Sequence, residues 1–461
     1  MSKVRTLLVA GLGLGCAVVC AAAACGDSAS FATLVLFGGT VVPMTDPDTT
    51  FEAMAIAGDR ILALGTDEEI LALAGAGTQW VDLGGRTALP GFIDPHTHLL
   101  GDAAKGNLSI AEAQGLALAC GITSAAEMLV TPAALPEFVA AAERGDVRIR
   151  TSLYLAYNDL CGNVFGPWYS DLAPFAEIAP RLRIGGVKVF AERSSCGAQR
   201  PAISFGDSLR PLLSPAGAVW YGEDRPLFSV QGLAAVVRDA AESGLPVAIH
   251  AIGDAAVETA LAALDLAGGP ARALRPMVLH NLFLPDDLLL EYARLGVTAG
   301  VESTNACFVD VYDDLLPTVR ETIVRRWGDL VAAGARVVAG SDWPWCDPGY
   351  LSPLMRLANL VSPTNASPAY ASWEPCERLS PGQLLSIWQG LRAMTVDAAY
   401  AVHWEDDLGT LEPGKLADVV VLSANPLLAR VEELAGVRVW LTMVGGSVEW
   451  SAEAGLARST P

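Results

Sequence analysis

Histidine is scarce in this sequence. Five of 461 residues carry an imidazole (His96, His98, His250, His280 and His403), so their positions are informative. Basic residues are few as well: 30 Lys and Arg against 51 Asp and Glu, a formal net charge of −21. A chain so poor in cations has no basic face for a phosphate backbone, which excludes nucleic acid as a partner. No two cysteines stand in a Cys-x-x-Cys spacing, which removes a structural zinc knuckle. Internal repeats are absent, and so is any low-complexity tract beyond an Ala-rich N-terminus. What the chain has in plenty is apolar residues, 52% of the total. That is enough for a large core, with the acidic excess read as solvated surface.

Lys3 and Arg5 precede an uncharged run, Leu7 to Ala24, that closes on Ala22-Ala23-Ala24-Cys25-Gly26-Asp27. This resembles a bacterial lipoprotein signal, cleaved ahead of a cysteine that then carries lipid. The expectation is a signal over residues 1–24, a tether over 25–31, lipidation at Cys25 and export to the cell envelope. Membrane contact would run only through that anchor. An uncleaved anchor helix and ordinary secretion are the alternatives. Export permits disulfides. Cys161 with Cys196 and Cys346 with Cys376 lie in polar, Gly-bearing loops and are the favoured pairs, although spacing alone leaves the connectivity open. Cys120, in an apolar run, reads as a buried free thiol.

Short β-rich runs separated by Gly turns fill residues 32–88, and others return over 405–455. Each set is too small to bury a core alone, so the two are expected to form one composite β-sandwich. Between them, residues 89–404 alternate apolar β-rich runs with helical stretches such as Pro285–Ala293. Eight strand ends fall near His98, Met128, Ala156, Phe190, His250, Leu282, Glu302 and Asp342. The expected fold is α/β, a (β/α)8 TIM barrel beside the small sandwich. A doubly wound open sheet would place a Gly-rich phosphate loop after the first strand, where this chain has His96-Thr97-His98.

Four of the five histidines thus sit at C-terminal ends of barrel strands, the rim that holds active sites in this architecture. His96 and His98 are two residues apart, so a strand aims both rings to one face. Asp342 supplies a lone carboxylate at the eighth strand end. Together these residues read as a metal centre. His403 lies outside any such strand and reads as structural. Lys188 sits in the apolar strand Gly185–Phe190, where a lone ammonium is expensive. A neutral amine there can take up carbon dioxide and become a carbamate that bridges two cations; pairing with Glu192 or Glu127 is the alternative.

The strings Pro90–His98, Gly186–Ala191, His250–Asp254, Leu279-His280, Gly340–Pro344 and Gly409–Val419 resemble the amidohydrolase superfamily. Within it they resemble family 3, the branch with N-substituted formamide deformylases. The resemblance implies one cation held by His96, His98, Lys188 and Asp342, and a second by Lys188, His250 and His280. Zinc is the default for imidazole and carboxylate ligands, with iron or manganese as alternatives; the resemblance further implies an N6-carboxylated Lys188, and a metal-bound hydroxide attacking an amide, formamide or N-acyl C–N bond of a small molecule. Asp342 would be the catalytic acid–base group. Two departures bear on substrate choice: Glu192-Arg193 stands where the family often has Asp-Gly, and Ala255 where it often has Arg. Tyr157, Glu192, Arg193, Trp343 and Trp345 are the candidate substrate contacts; packing of the rim aromatics within lid segments is the alternative. Deamination, lactone or ester hydrolysis, and a non-catalytic surface-binding lipoprotein are the competing functions.

Overall fold

A computed structural model of the chain describes residues 31–193, 204, 226–303, 326–345, 351–362 and 383–453. The signal, nearly all of the tether, and Cys25 lie outside them. Six strands come first: β1 (Ala32–Phe37), β2 (Thr40–Val41), β3 (Ala53–Ala57), β4 (Arg60–Gly65), β5 (Ala74–Asp82) and β6 (Thr87–Pro90). The barrel opens with β7 (Phe92–Thr97), β8 (Ile122–Val130) and β9 (Arg150–Ala156). After a short flanking strand, β10 (Glu177–Ala179), it continues with β11 (Leu182–Phe190), β12 (Val247–Ala251), β13 (Met277–His280), β14 (Thr298–Val301) and β15 (Arg336–Ala339).

These eight strands run in the order β7-β8-β9-β11-β12-β13-β14-β15, and each neighbouring pair is parallel. The ends of β15 and β7 meet where the N–H groups of Ser341 and Asp342 donate to the His96 carbonyl, at 3.1 and 2.8 Å. Gly340 permits this approach, because a Cβ there would lie 2.6 Å from that of His96. Helices pack outside, as expected for a nearly closed (β/α)8 barrel. The helix Ile110–Ala119 starts on a capping box, Ser109 and Glu112 each satisfying the other's backbone N–H. The helix Asp286–Leu295, foreseen from its Pro and acidic start, ends on Gly296 at φ 69.

Strand alternation divides the apolar residues between two cores. Ile93, Met128, Tyr154, Ala248, Met277, Leu279 and Val338 cluster inside the barrel. Phe92, Leu153, Val187, Val189, Ile249, Val278 and Val337 cluster with the helices.

The last strands, β16 (Val419–Leu422), β17 (Val439–Val444) and β18 (Ser447–Ser451), join a sheet ordered β18-β17-β16-β6-β2. A second sheet, β4-β3-β1-β5, faces it. Leu36, Met54, Ile56, Val81, Val419, Val421, Leu441 and Met443 are buried in the core they share. Sequence-distant strands thus make one sandwich, as expected. β5 was not foreseen: Ala74-Gly75-Ala76-Gly77 has none of the β-branched bulk that marks a strand, and parallel pairing with β1 makes it one. The sandwich is pinned to the barrel by a two-pronged pair, Arg150 Nε and Nη2 to the buried Asp418 carboxylate at 3.0 and 3.1 Å.

Among the described residues no helix is long and apolar enough to cross a membrane. Cys161 is disulfide-bonded; Cys196, Cys307, Cys346 and Cys376 lie outside the described residues. Cys120 is a free, partly buried thiol whose pKa burial pushes up to about 11.

Candidate metal centre

The pair at the end of β7 is arranged as its spacing predicts. His96 and His98 have ring centroids 5.6 Å apart, and both Nε2 atoms approach one oxygen, Asp342 Oδ1, at 3.4 and 3.2 Å. Beneath them Asp94 Oδ1 accepts from the N–H of His96 at 3.3 Å and of Ser341 at 3.0 Å, so one buried carboxylate ties together the strand ends that carry the His96–His98 pair and Asp342. Arg356, fully buried, stands 3.4 Å from the same oxygen.

His280 follows Val278 by two residues, and Val278 faces the helices. Simple alternation would send the ring outward. Instead His280 and Asn281 adopt φ of 76 and 52°, a left-handed backbone that L residues rarely take. The ring lies 4.3 Å from that of His250 and 5.0 Å from that of His96. Asn281 holds the turn, its amide donating to the Val278 and Gly300 carbonyls at 2.8 Å and its oxygen accepting from the Tyr292 hydroxyl.

Lys188 and His250 come from neighbouring strands β11 and β12. Lys188 is 1% exposed, and its Nζ has no hydrogen-bond partner; the same holds for Nε2 of His250 and of His280. Burial, only partly offset by Asp342 and Glu302, draws the Lys188 pKa down to about 8. Burial, followed by Lys188 and the neighbouring rings, holds His96 well below the ordinary imidazole value. Burial and then His280 do the same to His250. Both rings are therefore neutral, as metal ligands must be. At Asp342 burial pushes upward, but the His98 hydrogen bond, together with the nearby His280 and Lys188, prevails and leaves the carboxyl below its usual value.

The carboxylates offered as partners for Lys188 are occupied elsewhere. Glu192 is fully buried and accepts from the N–H groups of Ile252, Gly253 (3.1 Å) and Ser204 (2.7 Å). Glu127 accepts from Leu100 and Gly101 at 2.8 and 3.0 Å. Burial raises both pKa values to about 7.

The remaining predicted contacts separate. Tyr157 is half-buried beside Phe228, at 6.2 Å between rings. Trp345 is 37% exposed, lies 6.5 Å from the His98 ring and donates to Asp102 at 2.8 Å. Arg193 is exposed. Trp343 is 1% exposed and packed in the core, with its carbonyl accepting from the His98 N–H at 2.9 Å. His403 sits apart from the centre, bonded to Arg275 and to the Leu274 carbonyl.

One residue of the centre was not foreseen. Glu302, fully buried after β14, bonds His96 Nδ1 through one oxygen at 2.7 Å and His280 Nδ1 through the other at 2.9 Å. Its position at a strand end was the only signal. Among the described residues two sets of side chains are close enough to hold an ion, His96 with His98 and Asp342, and His96 with His280 and Glu302. In the second set both Glu302 oxygens are engaged by Nδ1 atoms, which leaves the Nε2 atoms as the free donors. The orphaned nitrogens of Lys188, His250 and His280 fit a cation better than an apolar interior.

Residues 104–448 match the sequence model of the amidohydrolase family. The chain belongs to that family. Lys188, His250, His280, Glu302 and Asp342 fall inside the matched segment, and His96 and His98 lie just ahead of it. Among similar proteins, imidazolonepropionase of Symbiobacterium thermophilum is 28% identical over 407 residues, 80% of this amidohydrolase and 83% of that protein. Protein LONG AFTER FAR-RED 3 of Arabidopsis thaliana is 30% identical over 258 residues, 53% of this chain; the amidohydrolase spans only 39% of that protein's length. A solved structure, an uncharacterized metal-dependent hydrolase from Pyrococcus furiosus, shares the fold with a TM-score of 0.68 at 19% identity, over 86% of this chain and 99% of that one.

Proposed function

We propose that this amidohydrolase cleaves an amide-type C–N bond of a small molecule at a centre of two divalent cations, zinc by default. His96, His98 and Asp342 would hold one, His250 and His280 the other, with Lys188, carboxylated on Nζ, shared between them. The observation that carries this reading is the convergence of three buried nitrogens without a hydrogen-bond partner, Lys188 Nζ, His250 Nε2 and His280 Nε2, of which His250 Nε2 comes no nearer to a carboxylate than 3.9 Å, at Glu192 Oε1. An unpaired buried polar group costs free energy that ligation removes. A Lys188 pKa near 8 leaves a neutral fraction able to react with carbon dioxide. The likeness to imidazolonepropionase supports a C–N bond as the target.

Bound cations of this kind acidify water and polarise a carbonyl oxygen. Asp342 does the proton work: it takes a proton from the attacking water and delivers it to the leaving nitrogen as the C–N bond breaks. Tyr157, Trp345 and Arg193 offer apolar and cationic surface to the substrate's outer part, while Glu192 and Trp343 support the site from behind.

The test is metal-to-protein stoichiometry on the purified protein, with 13C-bicarbonate labelling and an amide panel. Two ions, a labelled carbamate and turnover of a panel member are expected. One ion without label would remove Lys188 from the centre and favour one-metal deamination; bound metal without any turnover would favour a binding protein. Export with a lipid on Cys25 is part of the same proposal, and an intact mass retaining Met1 would refute it.

A further inference from the structure

We infer that Glu302 is a positioning residue that couples the two halves of the metal centre by fixing His96 and His280 in the same tautomer. The inference rests on the metal-centre reading above. His96 belongs with His98 and Asp342 on one side, His280 with His250 on the other. Glu302 bonds a ring from each side, at 2.7 and 2.9 Å. Its side chain is fully buried, so water does not compete for those bonds.

A neutral imidazole has one N–H. Spending it at Nδ1 leaves the Nε2 lone pair of each ring for a cation. His96 Nε2 then points to Asp342 Oδ1 at 3.4 Å, and His280 Nε2 lies buried without a hydrogen-bond partner. The rings stand 5.0 Å apart with planes at 68°. Two rings on one short carboxylate cannot rotate independently. Disturbing one oxygen therefore disturbs one ligand of one ion, and removing the carboxylate disturbs both ions. Carboxylates that accept the second N–H of a liganding histidine typically change metal affinity by about 10–100-fold.

Glu302→Gln gives the discriminating variant. A glutamine keeps one acceptor oxygen and replaces the other with an NH2 donor, so only one of the two rings can keep its proton on Nδ1. The other must turn over to accept there. Two measurements read this out. The first is 15N-imidazole NMR of the chelator-stripped full chain at pH 8, tractable because the chain has five histidines. Wild type is expected to show His96 and His280 both protonated on Nδ1, and Glu302→Gln only one of them. The second is zinc titration against a chromophoric chelator. Wild type is expected to take up two ions, and Glu302→Gln to keep one near wild-type affinity and bind the other at least about 10-fold more weakly. Glu302→Leu, of similar bulk, should weaken both.

A Glu302→Gln protein with two unchanged tautomers and two unchanged affinities would overturn the inference. A wild-type protein that takes up no zinc would instead remove the metal-centre reading, and the NMR comparison would still decide whether Glu302 sets the tautomers.

Discussion

Asp342 is the acid–base group of the proposed reaction. Asp342→Asn keeps the size and a carbonyl oxygen facing His98 but cannot accept the water's proton, so it is expected to fold and lose at least about 1000-fold in kcat. Thermal unfolding alongside the amide assay checks this, and near wild-type turnover would eliminate Asp342 from the role. Lys188→Ala should reduce bound zinc below two ions. The space it opens can take a short carboxylate, so acetate or propionate should restore part of the second ion and of the activity; absence of rescue across both acids would count against a carbamate at this position. The four strand-end histidines stood out as candidate ligands because histidine is rare here. Glu302 did not, because it is one of 51 acidic residues, and nothing in its local string separates a buried carboxylate from a solvated one.

At the scale of elements, the eight barrel strands and nearly all of their ends could be read from alternating apolar runs. Two features could not. The outward parity of His280 is reversed by left-handed backbone at His280 and Asn281, which Asn281 and Tyr292 hold in place. Such strain, about 1–3 kcal/mol for each residue, persists only where surrounding structure over-determines it. The contact between β15 and β7 depends on a glycine: a methyl at position 340 would sit 2.6 Å from the His96 Cβ. Gly340→Ala should push these strand ends apart, lowering the melting temperature and weakening zinc binding by at least about 10-fold. An unchanged zinc titration for that variant would show that His96 does not depend on this junction.

For the whole molecule, the barrel floor carries a pH-sensitive contact away from the metal centre. Neutral His403 donates through Nε2 to the Leu274 carbonyl at 3.0 Å and accepts at Nδ1 from Arg275. Burial first, and then the Arg275 guanidinium, pull its pKa from 6.5 down to about 4. As pH falls the unfolded chain binds this proton before the folded one does. The contribution is therefore complete above pH 6.5 and is lost between 6.5 and 4, roughly 3 kcal/mol in all. His403→Asn, which tolerates the φ of 59° found there and keeps an acceptor for Arg275, should show a smaller drop in denaturant midpoint between pH 7 and 4.5 than wild type. Equal drops in the two proteins would place the acid sensitivity elsewhere.

Apolar periodicity and the scarcity of histidine are properties of local strings, so the barrel, the split sandwich and the histidines at the barrel's strand ends could be read from residue order alone. Which nitrogens face one another, which carboxylates are spent on backbone amides, and that one buried glutamate serves two rings emerge only from the folded chain. Those outcomes depend on distances between residues as far as 247 positions apart, as Asp94 and Ser341 are. Distances of that kind are set by barrel closure and burial, and no local pattern encodes them.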